Sequence, residues 1–302
     1  MLSNGIYPAA VTPFDEKGRI DLVSTARLLA WFEAGGCRGA VLAGTNGEGP
    51  SLSAVEKRDL LKAAMPLKGK LELILGIATS STDEAVWLCR QAGNDGAVAV
   101  LLMAPYYFKE ATEAGVAAWF ELVMDRSPVP VLIYNFPQRT GFTISPDLLH
   151  RLSQHDNYGG AKDSSGLESN IAGYRAATGD KPLFVGNETL IFNALTAGWN
   201  GSISGASNAV PMWLSQIVKE FNEDRESAET KFQLLLPVLN KLRSSPQPAM
   251  NKALLHAQGV LDRPDLRLPL LGVADKEVDD VLEVIKQQLG PILTRRTPQP
   301  HV

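Results

Sequence analysis

Short apolar runs recur along the chain at intervals of roughly 20–30 residues, each followed by a stretch with helical apolar spacing, as the βα units of a parallel sheet read. The runs are Ile6–Val11, Ala40–Ala43, Leu71–Gly76, Ala97–Met103, Val129–Tyr134, Gly159–Lys162, Leu183–Val185 and Ser202–Gly205. Their continuous apolar character predicts strands covered on both faces. Helix starts are marked independently. Ser53 with Glu56, and Ser81 with Glu84, read as capping boxes. Ser145-Pro146 places a cap before a proline at the first helical position, and Gly35-Gly36 closes a helix before the next strand.

Eight such units predict a (β/α)8 barrel, the TIM-barrel architecture, over residues 1–222. Beyond it, Ala228–Leu242, Ala249–Gln258 and Lys276–Leu289 keep helical spacing with no strand signal. They predict a C-terminal helical extension over residues 223–293, broken at Ser244–Pro248 and Arg263–Pro269, with residues 294–302 as a disordered tail. A doubly wound sheet would share the alternation. No strand-turn-helix here carries G-x-G-x-x-G, and Gly44, Gly47 and Gly49 have the wrong spacing for it.

Composition narrows the function classes. A chain of 302 residues suits one barrel of about 250 residues plus an appendage. A net charge of −4 without a basic block leaves no footprint for nucleic acid or an anionic membrane. The longest apolar run, Ala97–Ala104, is far short of the ~20 residues of a membrane helix. The N-terminus lacks the pattern of a secretory signal, and Cys37 and Cys89 read as buried packing residues. A cytoplasmic protein is expected.

In such a barrel the chemistry sits at the strand C-termini. Those positions hold Thr12, Gly44-Thr45-Asn46-Gly47-Glu48, Pro105-Tyr106-Tyr107, Tyr134-Asn135, Lys162-Asp163, Gly186-Asn187-Glu188 and Gly205-Ala206. None is a histidine. His150, His155, His256 and His301 have no metal-ligand spacing, which disfavours a metal-dependent aldolase and a Ser-His-Asp hydrolase. Lys162, at a barrel mouth, is either paired with an acid such as Asp163 or held uncharged, and the free amine is a nucleophile toward a carbonyl. Tyr134 reads as a proton shuttle or as a core tyrosine. The Gly44–Gly49 turn reads as a nest for a carboxylate or as a plain connection. Tyr107 suits interface packing as well as catalysis, and Arg139 is a surface cation or a carboxylate clamp.

Together, Gly44-Thr45-Asn46-Gly47-Glu48, Pro105-Tyr106-Tyr107, Tyr134-Asn135-Phe136-Pro137, Lys162-Asp163, Gly186-Asn187 and Gly201-Ser202-Ile203-Ser204 resemble the dihydrodipicolinate synthase / N-acetylneuraminate lyase family of class I, Schiff-base lyases. The resemblance runs from about residue 5 into the C-terminal helices. It implies an enzyme needing no cofactor or metal, in which Lys162 forms an imine with pyruvate. Thr45 and the Asn46 amide would hold the pyruvate carboxylate, with Gly186 and Ile203 completing the binding set. Tyr134 would relay protons, and Tyr107 would extend the relay from a neighbouring subunit of a homotetramer built from dimers. The partners implied are small molecules, pyruvate and an aldehyde.

The run Tyr134–Gly141 resembles the synthase branch, in which Arg139 would bind the carboxylate of aspartate semialdehyde. Asn46, where synthases carry a second threonine, and Lys162-Asp163-Ser164-Ser165-Gly166 look more like 4-hydroxy-2-oxoglutarate or 2-keto-3-deoxy sugar-acid aldolases. A non-catalytic 2-oxo-acid-binding barrel is a third reading. Strong lysine inhibition is not expected, because the region of Gly49-Pro50 and Ala54 lacks the polar residues it would need.

Overall fold

The computed structural model describes residues 2–290. The expected tail at 294–302 and His301 lie outside the described residues. Eight parallel strands form one sheet: β1 (Gly5–Pro8), β2 (Gly39–Leu42), β3 (Glu72–Ile77), β4 (Ala99–Met103), β5 (Val131–Asn135), β6 (Tyr158–Asp163), β7 (Leu183–Val185) and β8 (Gly201–Ser204). From β2 to β8 each strand pairs with the next in sequence, and β1 pairs with β8. A single parallel bridge, Ala9 to Val41, closes the barrel between β1 and β2. The order is that of a (β/α)8 barrel.

Strand ends differ from the sequence expectation where the backbone finds other partners. β1 stops at Pro8 instead of Val11. The Ala9 amide still donates to Ser204 on β8, but Ala10 switches to Val41 on β2, and Val11 donates to the Asn208 side chain. β4 starts at Ala99 because the Ala97 amide closes the preceding helix on Ala92.

The helices are α1 (Leu22–Ala34), α2 (Ala54–Ala64), α3 (Thr82–Asp95), α4 (Glu113–Arg126), the short α5 (Pro137–Thr140), α6 (Pro146–Ser153), α7 (Ser169–Thr178), α8 (Ile191–Thr196) and α9 (Pro211–Glu223). The Ser53–Glu56 capping box forms in full, and Ser145 caps α6 ahead of Pro146. At α3 only half of the expected box exists. Ser81 accepts from the Glu84 amide, but the Glu84 carboxylate turns to the Thr79 hydroxyl and to the buried ammonium of Lys57. Three more helices follow α9: α10 (Arg225–Ser244), α11 (Ala249–Ala257) and α12 (Asp275–Leu289), with α10 packed on α9 and α12.

The strands divide the core into two layers. Along β4, Val100 and Leu102 join the outer layer between sheet and helices, while Ala99, Leu101 and Met103 join an inner cluster with Tyr7, Phe184 and Ile203. The same alternation on β5 sends Leu132 and Tyr134 inward and Val131 and Ile133 outward. That period of two decides which strand-end residues reach the barrel mouth.

Candidate active site

The pairing of β5 with β6 sets Tyr134 beside Lys162 and Asn135 beside Asp163. Tyr134 and Lys162 face the interior, and the Lys162 Nζ lies 4.5 Å from the centre of the Tyr134 ring. Lys162 is only 5% exposed, yet it has no acidic partner and no hydrogen bond among the described residues. The alternative of an ion pair with Asp163 fails on strand geometry, since adjacent residues face opposite sides. Asp163 points outward, where its carboxylate accepts from Asn135 Nδ2 (2.7 Å), the Ser165 amide (3.0 Å) and the Ser165 hydroxyl (2.7 Å). The amine is therefore buried and unpaired. Gly186 makes room for it: a Cβ there would stand 2.9 Å from Lys162 Cε and 2.0 Å from Ser164 Oγ.

The turn after β2 supplies the opposite wall. Ala43 and Glu48 both adopt left-handed backbone, at φ 53° and 55°. The amides of Glu48 and Gly49 close the turn on the carbonyls of Thr45 and Gly44, and the Gly47 carbonyl accepts from the Thr12 hydroxyl at 2.6 Å. The amides of Thr45, Asn46 and Gly47 carry no hydrogen bond among the described residues. Consecutive backbone donors left free in this way are a chemistry suited to an anion. The Thr45 and Tyr134 hydroxyls share a 3.4 Å hydrogen bond, which links the seat to the amine's neighbour.

These groups open onto one cavity of about 290 Å3, lined by Thr45, Asn46, Tyr134, Lys162 and Gly186 with Arg139 beside them. A larger hollow of about 510 Å3 lies around Trp213 and Lys231 on α9 and α10. Its lysine is paired with Glu220 at 2.5 Å, unlike Lys162. A model of the dihydrodipicolinate synthetase family matches residues 2–288.

The chain belongs to this family.

It is 32% identical to the 4-hydroxy-tetrahydrodipicolinate synthase of Bacillus velezensis, over 93% of this chain and 98% of that one. It is 33% identical to the enzyme of the same name from Archaeoglobus fulgidus, over 93% and 97% of the two chains. Among solved structures, the chloride-inhibited dihydrodipicolinate synthase of Acinetobacter baumannii, complexed with pyruvate, superposes with a TM-score of 0.89 at 28% identity, covering 95% of this chain and 99% of that one.

Within this family member the remaining expected site residues are not all at the cavity. Arg139 sits on α5, its guanidinium 5.8 Å from the centre of the Phe136 ring, with no acid partner among the described residues. Tyr107 does not line the cavity. It is 75% exposed, edge-on to Phe108, which is 68% exposed, and Ser80 Oγ accepts from the amides of Tyr106 and Tyr107. Ile203 lies in the inner apolar cluster and is not among the residues that line the cavity. Glu188 lines the cavity, but its Oε1 accepts from the Ser204 hydroxyl and the Ala206 amide. No cluster of three His, Cys, Asp or Glu able to hold a metal exists among the described residues. His150 and His256 contact backbone carbonyls, and His155 contacts Asp125.

Sequence reasoning missed the contribution of the C-terminal helices. Leu242, Arg243 and Gln247 close one side of the cavity. Behind the turn, Lys252 Nζ stands 2.5 Å from Glu48 Oε1, both side chains fully buried. Burial pulls the Lys252 ammonium down to about 8, against the attraction of Glu48. Nothing in a helix of ordinary apolar spacing distinguishes Lys252 from a surface lysine.

Proposed function

We propose that this protein is a lyase/synthase that forms a Schiff base between Lys162 and pyruvate, and that it acts as a 4-hydroxy-tetrahydrodipicolinate synthase on pyruvate and aspartate semialdehyde. The names of its curated relatives and the pyruvate complex of the Acinetobacter enzyme support the substrate. The carrying observation is the unpaired amine of the buried Lys162 on the wall of one cavity that Thr45 and Asn46, whose backbone amides carry no hydrogen bond among the described residues, also line.

The geometry fits each step. The amides of Thr45 and Asn46 and the Thr45 hydroxyl hold the pyruvate carboxylate, which presents the keto carbon to the Lys162 amine. Attack forms a C–N bond and a carbinolamine. Tyr134, against the amine and bonded to Thr45, delivers the proton on which the carbinolamine oxygen departs as water. The resulting iminium acidifies the pyruvate methyl group. Tyr134, deprotonated in that transfer, takes a methyl proton to give an enamine; the enamine carbon attacks the aldehyde while Tyr134 returns the proton to the aldehyde oxygen, and water then releases the product and regenerates the amine. Arg139, unpaired at the cavity wall, binds the aldehyde's carboxylate. The exposed Tyr107–Phe108 pair serves as the contact through which a second copy completes the relay, in a homotetramer built from dimers. No helix among the described residues is long and apolar enough to cross a membrane, and a cytoplasmic enzyme free of strong lysine inhibition fits this reading.

One observation favours a second reading, cleavage of 4-hydroxy-2-oxoglutarate or a 2-keto-3-deoxy sugar acid. Position 46 carries no hydroxyl, and the side-chain oxygen Oδ1 of Asn46 accepts from Asn251 Nδ2 at 3.2 Å, so the relay in this chain has one threonine only. Steady-state assays with each substrate set separate the two. Borohydride reduction with pyruvate, followed by peptide mass analysis, tests what they share: the expected adduct is on Lys162, and an unmodified Lys162 peptide refutes the mechanism.

A further inference from the structure

We propose that α11 is a positioning element of the active site, in which Asn251 and Lys252 clamp the Gly44–Gly49 turn and thereby set the affinity for the carboxylate of the keto acid. This rests on reading that turn as the carboxylate seat.

The turn that carries the free amides is held at Asn46 and at Glu48 from the C-terminal region. Asn251 Nδ2 donates to Asn46 Oδ1 (3.2 Å) and to the Gly205 carbonyl (3.0 Å), bridging the turn after β2 to the end of β8. Two residues further along the turn, Glu48 is gripped twice: Lys252 Nζ approaches its Oε1 at 2.5 Å, and the Arg267 amide donates to its Oε2 at 2.8 Å. Glu48 needs that grip because its φ of 55° is left-handed, a region that non-glycine residues rarely occupy without outside support. Lys252 is itself fixed, 4.0 Å over the Phe14 ring and donating to the Asp265 carbonyl at 2.6 Å. Arg267 adds a second tie, with Nη1 donating to the Ser51 carbonyl and the guanidinium bridging to Glu56.

A buried ion pair is a poor source of stability, because desolvating both charges offsets most of their attraction. What such a pair does supply is a single geometry for the backbone that carries it. Here that backbone continues into the amides of Thr45 and Asn46, and small rotations along the turn would shift them relative to a bound carboxylate.

The test uses Lys252→Met, the double variant Glu48→Gln/Lys252→Met, and Asn251→Ala. Three quantities are measured: the melting temperature, amide hydrogen exchange across residues 44–49 without ligand, and the pyruvate concentration that half-saturates borohydride trapping. Lys252→Met strands a buried carboxylate and lowers the melting temperature. The double variant removes both charges and recovers it. If the clamp positions the turn, the double variant still exchanges faster at 44–49 and needs about tenfold more pyruvate, while its maximal trapped fraction stays parental. Asn251→Ala, which strands no charge, shifts half-saturation the same way. Parental exchange or parental half-saturation in the double variant overturns the proposal, and if that variant does not fold, Asn251→Ala decides by the same two readouts. Absence of any pyruvate adduct in the parent protein would sink the pyruvate reading instead, and the exchange measurement would still judge the clamp.

Discussion

Gly186→Ala tests whether the position of the Lys162 amine limits its chemistry. Gly186 has no left-handed backbone that would forbid alanine, so the substitution acts through space alone. Its new Cβ would meet Ser164 Oγ at 2.0 Å and Lys162 Cε at 2.9 Å, where ordinary contacts begin at 3.4 Å. Ser164 can escape by rotating its hydroxyl, but the lysine stem must retreat by about 0.5 Å, the difference of those two distances. A misplacement of ~1 Å at a reacting centre costs about 100-fold in rate, so half of that predicts about a tenfold loss, or ~1.4 kcal/mol of barrier. Overpacking adds a separate stability cost of about 1–3 kcal/mol. Ser164→Gly in the same chain separates the two, since it removes the hydroxyl clash and leaves the contact with Lys162. The assay is the single-turnover rate of pyruvate trapping by borohydride, alongside the melting temperature. The double variant should regain melting temperature while trapping stays about tenfold slow. A trapping rate that recovers together with stability would refute the claim that the lysine's placement, rather than general packing, is at stake.

Tyr134→Phe keeps the ring against Lys162 and deletes only a hydroxyl bonded to Thr45 at 3.4 Å, so turnover should fall at least about 100-fold with little change in melting temperature. A near-parental turnover would assign the proton transfer elsewhere. Arg139→Ala removes a cation with no acid partner among the described residues. The KM for a carboxylate-bearing aldehyde should therefore rise about tenfold or more while pyruvate half-saturation holds, and an unchanged KM would dismiss the clamp. Glu56 is pulled down to about 2, chiefly by its hydrogen bond to Arg267. Its folded value lies below the unfolded carboxylate range of about 4.3, so the stabilisation is complete above that range and is lost as pH falls toward 2. Melting temperatures should drop less steeply with acid in Glu56→Gln than in the parent, and identical slopes would show the pair to be inert.

The parts of this protein that could be read from its sequence are those whose signal is local. An apolar run followed by a helical pattern recurs because each βα unit buries its own strand, and Ser53 or Ser145 marks a helix start through bonds within one turn. Lys162 and Tyr134 were legible for a related reason: strand ends define the barrel mouth, and the period of two decides which residues face in. The same rule separated Lys162 from Asp163, which sequence proximity had offered as its partner. Strand ends were less legible, because Ala10 and Val11 leave β1 for acceptors on β2 and in the Asn208 side chain that no local pattern announces.

The contribution of the C-terminal helices was illegible for a stronger reason. Asn46 and Asn251 are separated by 205 positions, and Glu48 and the Arg267 amide by 219, so no spacing rule connects them. Glu48 lies within the Gly44–Gly49 turn, and its carboxylate would oppose an anion bound by that turn if it were left uncompensated. Its burial against Lys252 answers the acid's charge from the side of α11, while Thr45 and Asn46 of the same turn line the cavity. A carboxylate seat can thus carry an acid in its own loop, provided a distant helix neutralises it. On the proposed reading the seat and that helix act as one unit, and substitutions at Asn251 or Lys252 are expected to change what the barrel mouth binds.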